Sequence, residues 1–421
     1  MVSRSLIAAL LVSLGGRSLA ECSVSATTTI ANSGDASALA SCATFSGSIA
    51  IATDASGDLA LNDIQAITGT LVAYNVTQLS GLSADSLEEV GTFELDSLTV
   101  LMSLDFPKLS KVGGINWASL PALSQLSFTS GVKEASSVRV QNTFLSSLDG
   151  IELEEVDDLF VANNNYMQDV SVGITHVNNA LTLSANGDKL KVSFPDLEWA
   201  QNITLRNVST ISMPSLSSLN GSLGLYGNKV ESLDLANLTT VDGTLSIVGN
   251  GDLDNISIDS LSKVGGGFQI VDNPRINDLS FPALEVSLDS IADVRGAFNL
   301  QSTNDICETC EHFRDLTGAG AVIKGKFQCA GRQANPAGAD ATPTGSGVCA
   351  SSSANATVTA SASASAEASS SSTAGASASA DGTGASATET AEASNGAGSG
   401  VATGIGAVLG AGLLLAFGVS L

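Results

Sequence analysis

The sequence predicts an all-β chain: a right-handed parallel β-solenoid or leucine-rich-type repeat with coils of about 22 residues, followed by a disordered stalk. Three observations carry that expectation. The first is a near copy, L-S-I-V-G-N ending at Asn250 and F-Q-I-V-D-N ending at Asn273. An apolar-x-apolar pair followed three residues later by Asn is how a solenoid coil looks in sequence. The second is spacing. The first apolar residues of such pairs, Ile49, Leu71, Phe93, Ile115, Val138, Leu159, Leu181, Ile203, Leu223, Leu245 and Phe268, follow in steps of 20 to 23, and Phe298 comes 30 later. The third is an independent series half a period behind: Leu82, Leu104, Leu126, Leu148, Val170, Val192, Met213, Leu233, Ile256 and Leu279.

Each unit holds two or three short strands, too few to bury a core alone. Stacking lets every strand pair with its equivalent in the next coil, so that inward apolar side chains form ladders and Asn at the turns bonds along the stack. About twelve coils at ~4.8 Å each make a rod roughly 55 Å long. The long last step predicts a coil with an inserted loop. A helix in every coil is disfavoured, because no half-unit shows a 3.6 period and Gly, Ser and Thr interrupt each one.

In chain order, residues 1–20 read as a secretory signal, with Arg4 at the start, an apolar core from Leu6 to Leu14, and Ser18-Leu19-Ala20 as the cleavage site. Residues 21–330 form the solenoid with disulfide caps. Cys22 and Cys42 are placed at its open N-terminal end, where unpaired strand edges need covering. Pro107, Pro121, Pro195, Pro214 and Pro282 are assigned to one corner of the coil, where a missing N–H costs little.

Seven N-x-[ST] sequons begin at Asn75, Asn202, Asn207, Asn220, Asn237, Asn255 and Asn355. Five of them lie between residues 202 and 257, so glycan there would shield one part of the rod and leave the rest as contact surface. Cys307, Cys310 and Cys329 close the solenoid and Cys349 follows. Four cysteines allow three pairings, and Cys310–Cys329 with Cys307–Cys349 is preferred. The competing metal or redox reading of C-x-x-C lacks a second such motif and has only His312 nearby.

Residues 331–395, dominated by Ser, Ala and Thr, cannot offset their ordering entropy and read as an O-glycosylated stalk. Small residues around Asn395, then an uncharged apolar run from Val401 to Leu421, are the signal for a GPI anchor attached at Asn395, with Ser394 and Gly396 as rival sites and 396–421 removed.

Composition narrows the function. The formal charge is −25, and loss of Arg4 and Arg17 with the signal takes it nearer −27. That argues against nucleic acid and against electrostatic contact with an anionic membrane. Membrane association is expected through the GPI lipid only. Aromatic residues are 4% of the chain, low for a protein that grips sugars by ring stacking. The two histidines, His176 and His312, stand beside no nucleophile motif. The densest acidic run, Glu152, Glu154, Glu155, Asp157 and Asp158, reads as a solvated face ahead of a Ca²⁺ site, because it lacks the spacing of a known loop. No catalytic residue, metal ligand or cofactor site is picked out.

Several stretches carry a family likeness, among them C-A-T-F-S-G at Cys42, F-P-K-L-S-K-V at Phe106, I-N-W-A-S-L-P-A-L at Ile115, N-G-S-L-G-L-Y at Asn220, V-G-G-G-F-Q-I-V-D-N at Val264 and I-K-G-K-F-Q-C at Ile323. The chain resembles the fungal GPI-anchored cell-wall organisation proteins, whose folded part belongs with receptor L-domain-like leucine-rich solenoids. In that family Cys310 and Cys329 match the usual pair, and Cys307 and Cys349 are additional. The resemblance implies a non-enzymatic glycoprotein of the outer leaflet and wall, needed for wall organisation and integrity. Its expected partners are wall polysaccharide (glucan) or other wall proteins. The alternatives are a receptor-like ligand-binding module and, further off, a polysaccharide-cleaving β-helix enzyme, which would need clustered carboxylates or basic residues in a groove.

Overall fold

The computed structural model describes residues 22–285, 293–317, 322–332 and 349. One parallel ladder runs through this part of the chain. It joins Thr28–Ile30, Ile49–Ile51, Ala66–Tyr74, Glu89–Asp96, Lys111–Leu120, Ser137–Thr143 and Glu155–Ala162. It continues through His176–Ser184, Trp199–Arg206, Leu223–Tyr226, Leu245–Val248, Phe268–Val271, Phe298–Gln301 and Phe327–Ala330. All twelve residues of the first series stand opposite their neighbours in this register. The ladder is longer at each end than the spacing indicated, with Thr28 opposite Ile49 and Phe327 opposite Phe298.

From Ile49–Ile51 to Phe298–Gln301 every ladder strand buries its residue of the first series and the residue two places on, as in Phe93 and Leu95 or Ile115 and Trp117. The residue between them faces outward except at Gly224, Ser246 and Asn299, which are buried. This is the period-2 alternation of a strand with one face in the core. In the later coils a two-residue arm, Ser218–Leu219, Thr240–Val241 and Lys263–Val264, runs upstream of the ladder strand and pairs in the same way, and in coils such as Ala66–Tyr74 and Glu89–Asp96 it is the start of the ladder strand itself. At the bend between arm and strand the coils approach so closely that glycine is required. A Cβ on Gly243 would stand 2.7 Å from the Gly221 carbonyl oxygen, and one on Gly266 2.7 Å from that of Gly243.

A second side carries three shorter parallel sheets. The first is Ser56–Ala60, Gln78–Ser83, Ser103–Asp105 and Gln125–Ser127. The second is Asp169–Ser171, Lys191–Ser193 and Thr210–Ser212, and the third Ser232–Asp234, Asn255–Ser257 and Asp278–Ser280. Two assignments from the second series change. Ile211, and not Met213, stands opposite Val192. Both are apolar and two residues apart, so spacing alone did not separate them. Leu148 is buried but lies in no strand, because the chain from Thr129 to Glu152 bridges Val132 to Ile151 and interrupts the side.

In the ten coils from Ala66–Tyr74 to Phe268–Val271 a left-handed residue stands at the end of the ladder strand or just after it: Asn75, Ser97, Ser119, Asn142, Asn163, Ala185, Asn207, Gly227, Gly249 and Asp272 have φ between 54° and 70°. Next comes a ladder of buried asparagines. Asn164, Asn186, Asn228, Asn250 and Asn273 are at most 4% exposed and bond along the stack; the Asn250 side-chain oxygen accepts the Asn228 N–H at 2.8 Å, and its amide donates to the Leu225 carbonyl at 3.2 Å. Buried polar groups persist only when satisfied in this way. Pro107, Pro195, Pro214 and Pro282 follow second-side strands at one corner, but Pro121 lies at the other, after the ladder strand Lys111–Leu120.

Both ends are covered. At the start the helix Ser33–Leu39, capped by the Asn32 side chain, lies between Cys22 and Cys42, which are joined with Cα atoms 5.5 Å apart. The second-side strand Asp278–Ser280 is followed by the short helix Pro282–Glu285, and the helix Cys307–Asp315 takes the place of the second side in the last coil. The inserted loop expected in the long step to Phe298 falls in residues 286–292, outside the described residues. Disulfides join Cys310 to Cys329 and Cys307 to Cys349. Phe268, Phe298 and Phe327 stack in line, with Phe313 of the helix against them.

Candidate functional surface

The interior is filled by apolar and asparagine ladders, so chemistry must take place outside. On the outer face of the long ladder, one row holds Val72, Glu94, Asn116, Arg139, Phe160 and Thr182, and the row beside it holds Tyr74, Asp96, Arg206 and Tyr226. The Asn116 amide donates to Glu94 at 2.9 Å. Arg139 lies 4.2 Å over the Phe160 ring and Arg206 4.1 Å over that of Tyr226, a cation–π arrangement in each case. Partial burial, then a hydrogen bond to Glu94 and the charges of Glu94 and Asp96, push the Tyr74 phenol up to about 12.

A second feature lies in the turns after the ladder strands. Val100, Met102, Phe144 and Tyr166 are 39% to 59% exposed, although each belongs to a coil that buries its other apolar residues. The Phe144 and Tyr166 rings lie 3.7 Å apart, tilted by 31°. Pro121 occupies the exposed position in the coil between them and Val100.

A groove of about 490 Å³ runs along the arms and is lined by Lys111, Lys133, Glu134, Glu154, Glu155 and Asp157 among others. It brings carboxylates and lysines together, which the sequence did not show, because they come from three coils. Lys111 lies 3.7 Å from Glu89 and 3.5 Å from Glu134, and all three side chains are more than half exposed. The acidic run partly dissolves into this groove. Asp157, which lines it, and Asp158 accept hydrogen bonds from the amides of Asn178 and Asn179. Among the described residues no three His, Cys, Asp or Glu side chains converge as a metal site. His176 contacts Thr175 and Glu198 on the arm side, and His312 lies on the last helix. Both cysteines of the C-x-x-C motif are in disulfides.

The sequons fall on several sides. Asn75 and Asn207 hold the left-handed corner in their coils. Asn202 points out from the long ladder, Asn220 and Asn237 lie at exposed turns, and Asn255 begins a second-side strand. Those between 202 and 257 therefore ring successive coils, and residues 78–201 carry none. Asn355 and Asn395 lie outside the described residues.

No family model and no solved structure matches the chain. Named proteins do. It is 35% identical over 342 residues to "Protein ecm33" of Aspergillus fumigatus, covering 76% of this chain and 84% of that protein. It is 38% identical over 326 residues to "Cell surface GPI-anchored protein" of Arthroderma benhamiae, covering 73% and 83%. "Cell wall mannoprotein PST1" of Saccharomyces cerevisiae is 30% identical over 287 residues, 64% of each chain. These identities, over most of both chains in the first two cases, place the protein in a family: it belongs to the fungal GPI-anchored proteins of the cell surface and cell wall.

Proposed function

We propose that this protein is a non-enzymatic wall glycoprotein that contributes to the organisation and integrity of the fungal cell wall by binding wall polysaccharide or other wall proteins. Residues 1–20 direct secretion, 331–395 act as a glycosylated stalk, and a GPI lipid at Asn395 holds the solenoid at the outer leaflet, where paired acyl chains suffice for anchoring. Asn75, Asn202, Asn207, Asn220, Asn237, Asn255 and Asn355 are its N-glycosylation sites.

The observation that carries the non-enzymatic reading is the openness of the charged groove. A glycoside-cleaving pair needs one carboxyl held protonated in a dry pocket beside an ionised partner. Glu89 and Glu134, which flank Lys111, are 53% and 69% exposed. Water there screens the charges that such a mechanism would have to focus.

The full-length glycoprotein, extracted in mild detergent and mixed with isolated wall polysaccharides, tests this. Protein in the pellet without sugar in the supernatant is the expected result. Released sugar would overturn the reading and direct attention to the groove at Lys111, Glu134 and Glu154.

A further inference from the structure

The apolar turns gain meaning from what is missing around them. In a chain with 59 charged residues, the segments 97–104, 119–131, 142–148 and 163–168 contain no Asp, Glu, Lys, Arg or His. These are the turns of four successive coils, stacked by the ladder register. The equivalent turns on either side are charged or carry sequons. Asp54 and Asp58 precede, Asp188 and Lys189 follow, and Asn75 and Asn207 mark the same corner one coil below and two coils above the uncharged stretch. Across it run Val100, Met102, Pro121, Phe144 and Tyr166, all exposed.

We propose that this ridge binds a neutral polysaccharide chain over a few sugar rings, with the Phe144 and Tyr166 rings as its stacking platform. The inference rests on the polysaccharide reading above and assigns it a surface. Three arguments select the occupant. A charged partner would lose hydration against a surface that offers no counter-charge. Exposed aromatic faces suit the C–H faces of pyranose rings, and the amides and hydroxyls between them, Ser124, Ser146, Asn165 and Gln168, suit sugar hydroxyls. The six coil steps from Asn75 to Asn207 leave a gap of about 29 Å between glycans, wide enough for a thin polymer and too narrow for a second glycosylated solenoid to dock broadly. The low aromatic content is no objection, because recognition by stacking depends on where rings are exposed.

The test uses the full-length glycoprotein in mild detergent with suspended insoluble β-glucan and, separately, chitin. Wild type is compared with Phe144→Ser/Tyr166→Ser, with Ala122→Asn, which completes a sequon with Ser124 and sets a glycan on the ridge, and with Tyr226→Ser on the ladder face. Wild type and Tyr226→Ser are expected to pellet alike with at least one polymer. The two ridge variants should bind at least tenfold more weakly, with unchanged thermal unfolding. Equal retention of wild type and both ridge variants would overturn the ridge while leaving the polysaccharide reading intact. No retention of wild type on either polymer would overturn that reading itself. If chemical cross-linking traps a dimer that the double variant loses while its polymer binding persists, the ridge belongs to a second copy and the proposal falls.

Discussion

Asn250 is fully buried and holds three coils together: it accepts from Asn228, donates to the Leu225 carbonyl, and donates to the Asn273 side chain at 3.0 Å. Asn250→Ala leaves at least two buried backbone groups without partners, each worth about 1–3 kcal/mol. We expect a loss of roughly 2–5 kcal/mol in chemical denaturation, against less than about 1 kcal/mol for the exposed Asn237→Ala. Tyr74 gives a second prediction. Its folded-state value of about 12 exceeds the ordinary phenol value of 10.0, so the folded protein holds this proton more tightly than the unfolded chain. The resulting stabilisation is complete below pH 10.0 and is lost as pH rises from there towards about 12. Phenolate absorbance should show Tyr74 ionising late, and Glu94→Gln, which keeps a hydrogen-bond acceptor but removes the charge, should bring it earlier. At this scale the sequence was partly legible. The asparagines announced themselves by spacing, whereas the left-handed corner did not, because Ser97, Ser119 and Ala185 hold it as well as Asn and Gly do.

Elements in a solenoid depend mainly on their neighbours, so damage at an end should stay near the end. The helix Cys307–Asp315 is tied by Cys310–Cys329 to the last ladder strand, Phe327–Ala330, closing 19 residues. Replacing both cysteines by Ser should cost about 3 kcal/mol by the loop-entropy relation. Hydrogen exchange should quicken in that strand and helix first and leave Lys111–Leu120 and Ser137–Thr143 protected; uniform loss of protection would contradict nearest-neighbour coupling. The long ladder was legible in sequence because its inward residues are large, apolar and evenly spaced. Its ends were not: Thr28 is polar, and Phe327 follows a coil lengthened by a helix. The second side was less legible because its strands contribute few inward residues each, which let Met213 stand in for Ile211. The exposed ridge was hidden for a related reason. Val100, Phe144 and Tyr166 directly adjoin the buried Leu101, Leu145 and Met167, and an apolar period does not say which of two neighbours faces water.

The described solenoid combines a surface rich in carboxylates with an uncharged strip, and the combination governs what it can hold. A formal charge of −25 repels anionic polymers and other copies of the same chain, which keeps a crowded surface layer of such proteins dispersed. It would also draw cationic partners to the acidic faces, and such binding weakens with salt because ions screen exposed charges beyond about 10 Å at 0.1 M. A neutral polysaccharide on the ridge escapes both effects, since its contacts are stacking and neutral hydrogen bonds. Retention on insoluble wall polysaccharide should therefore change less than twofold between dilute buffer and about 0.5 M salt, where the screening length has shrunk to a few ångströms. A tenfold fall over that range would mean that charged faces carry the binding, favouring the groove at Lys111 and Lys133 or a basic wall protein. Salt thus separates two surfaces of one solenoid without altering a residue, which removes any question of whether a variant has folded.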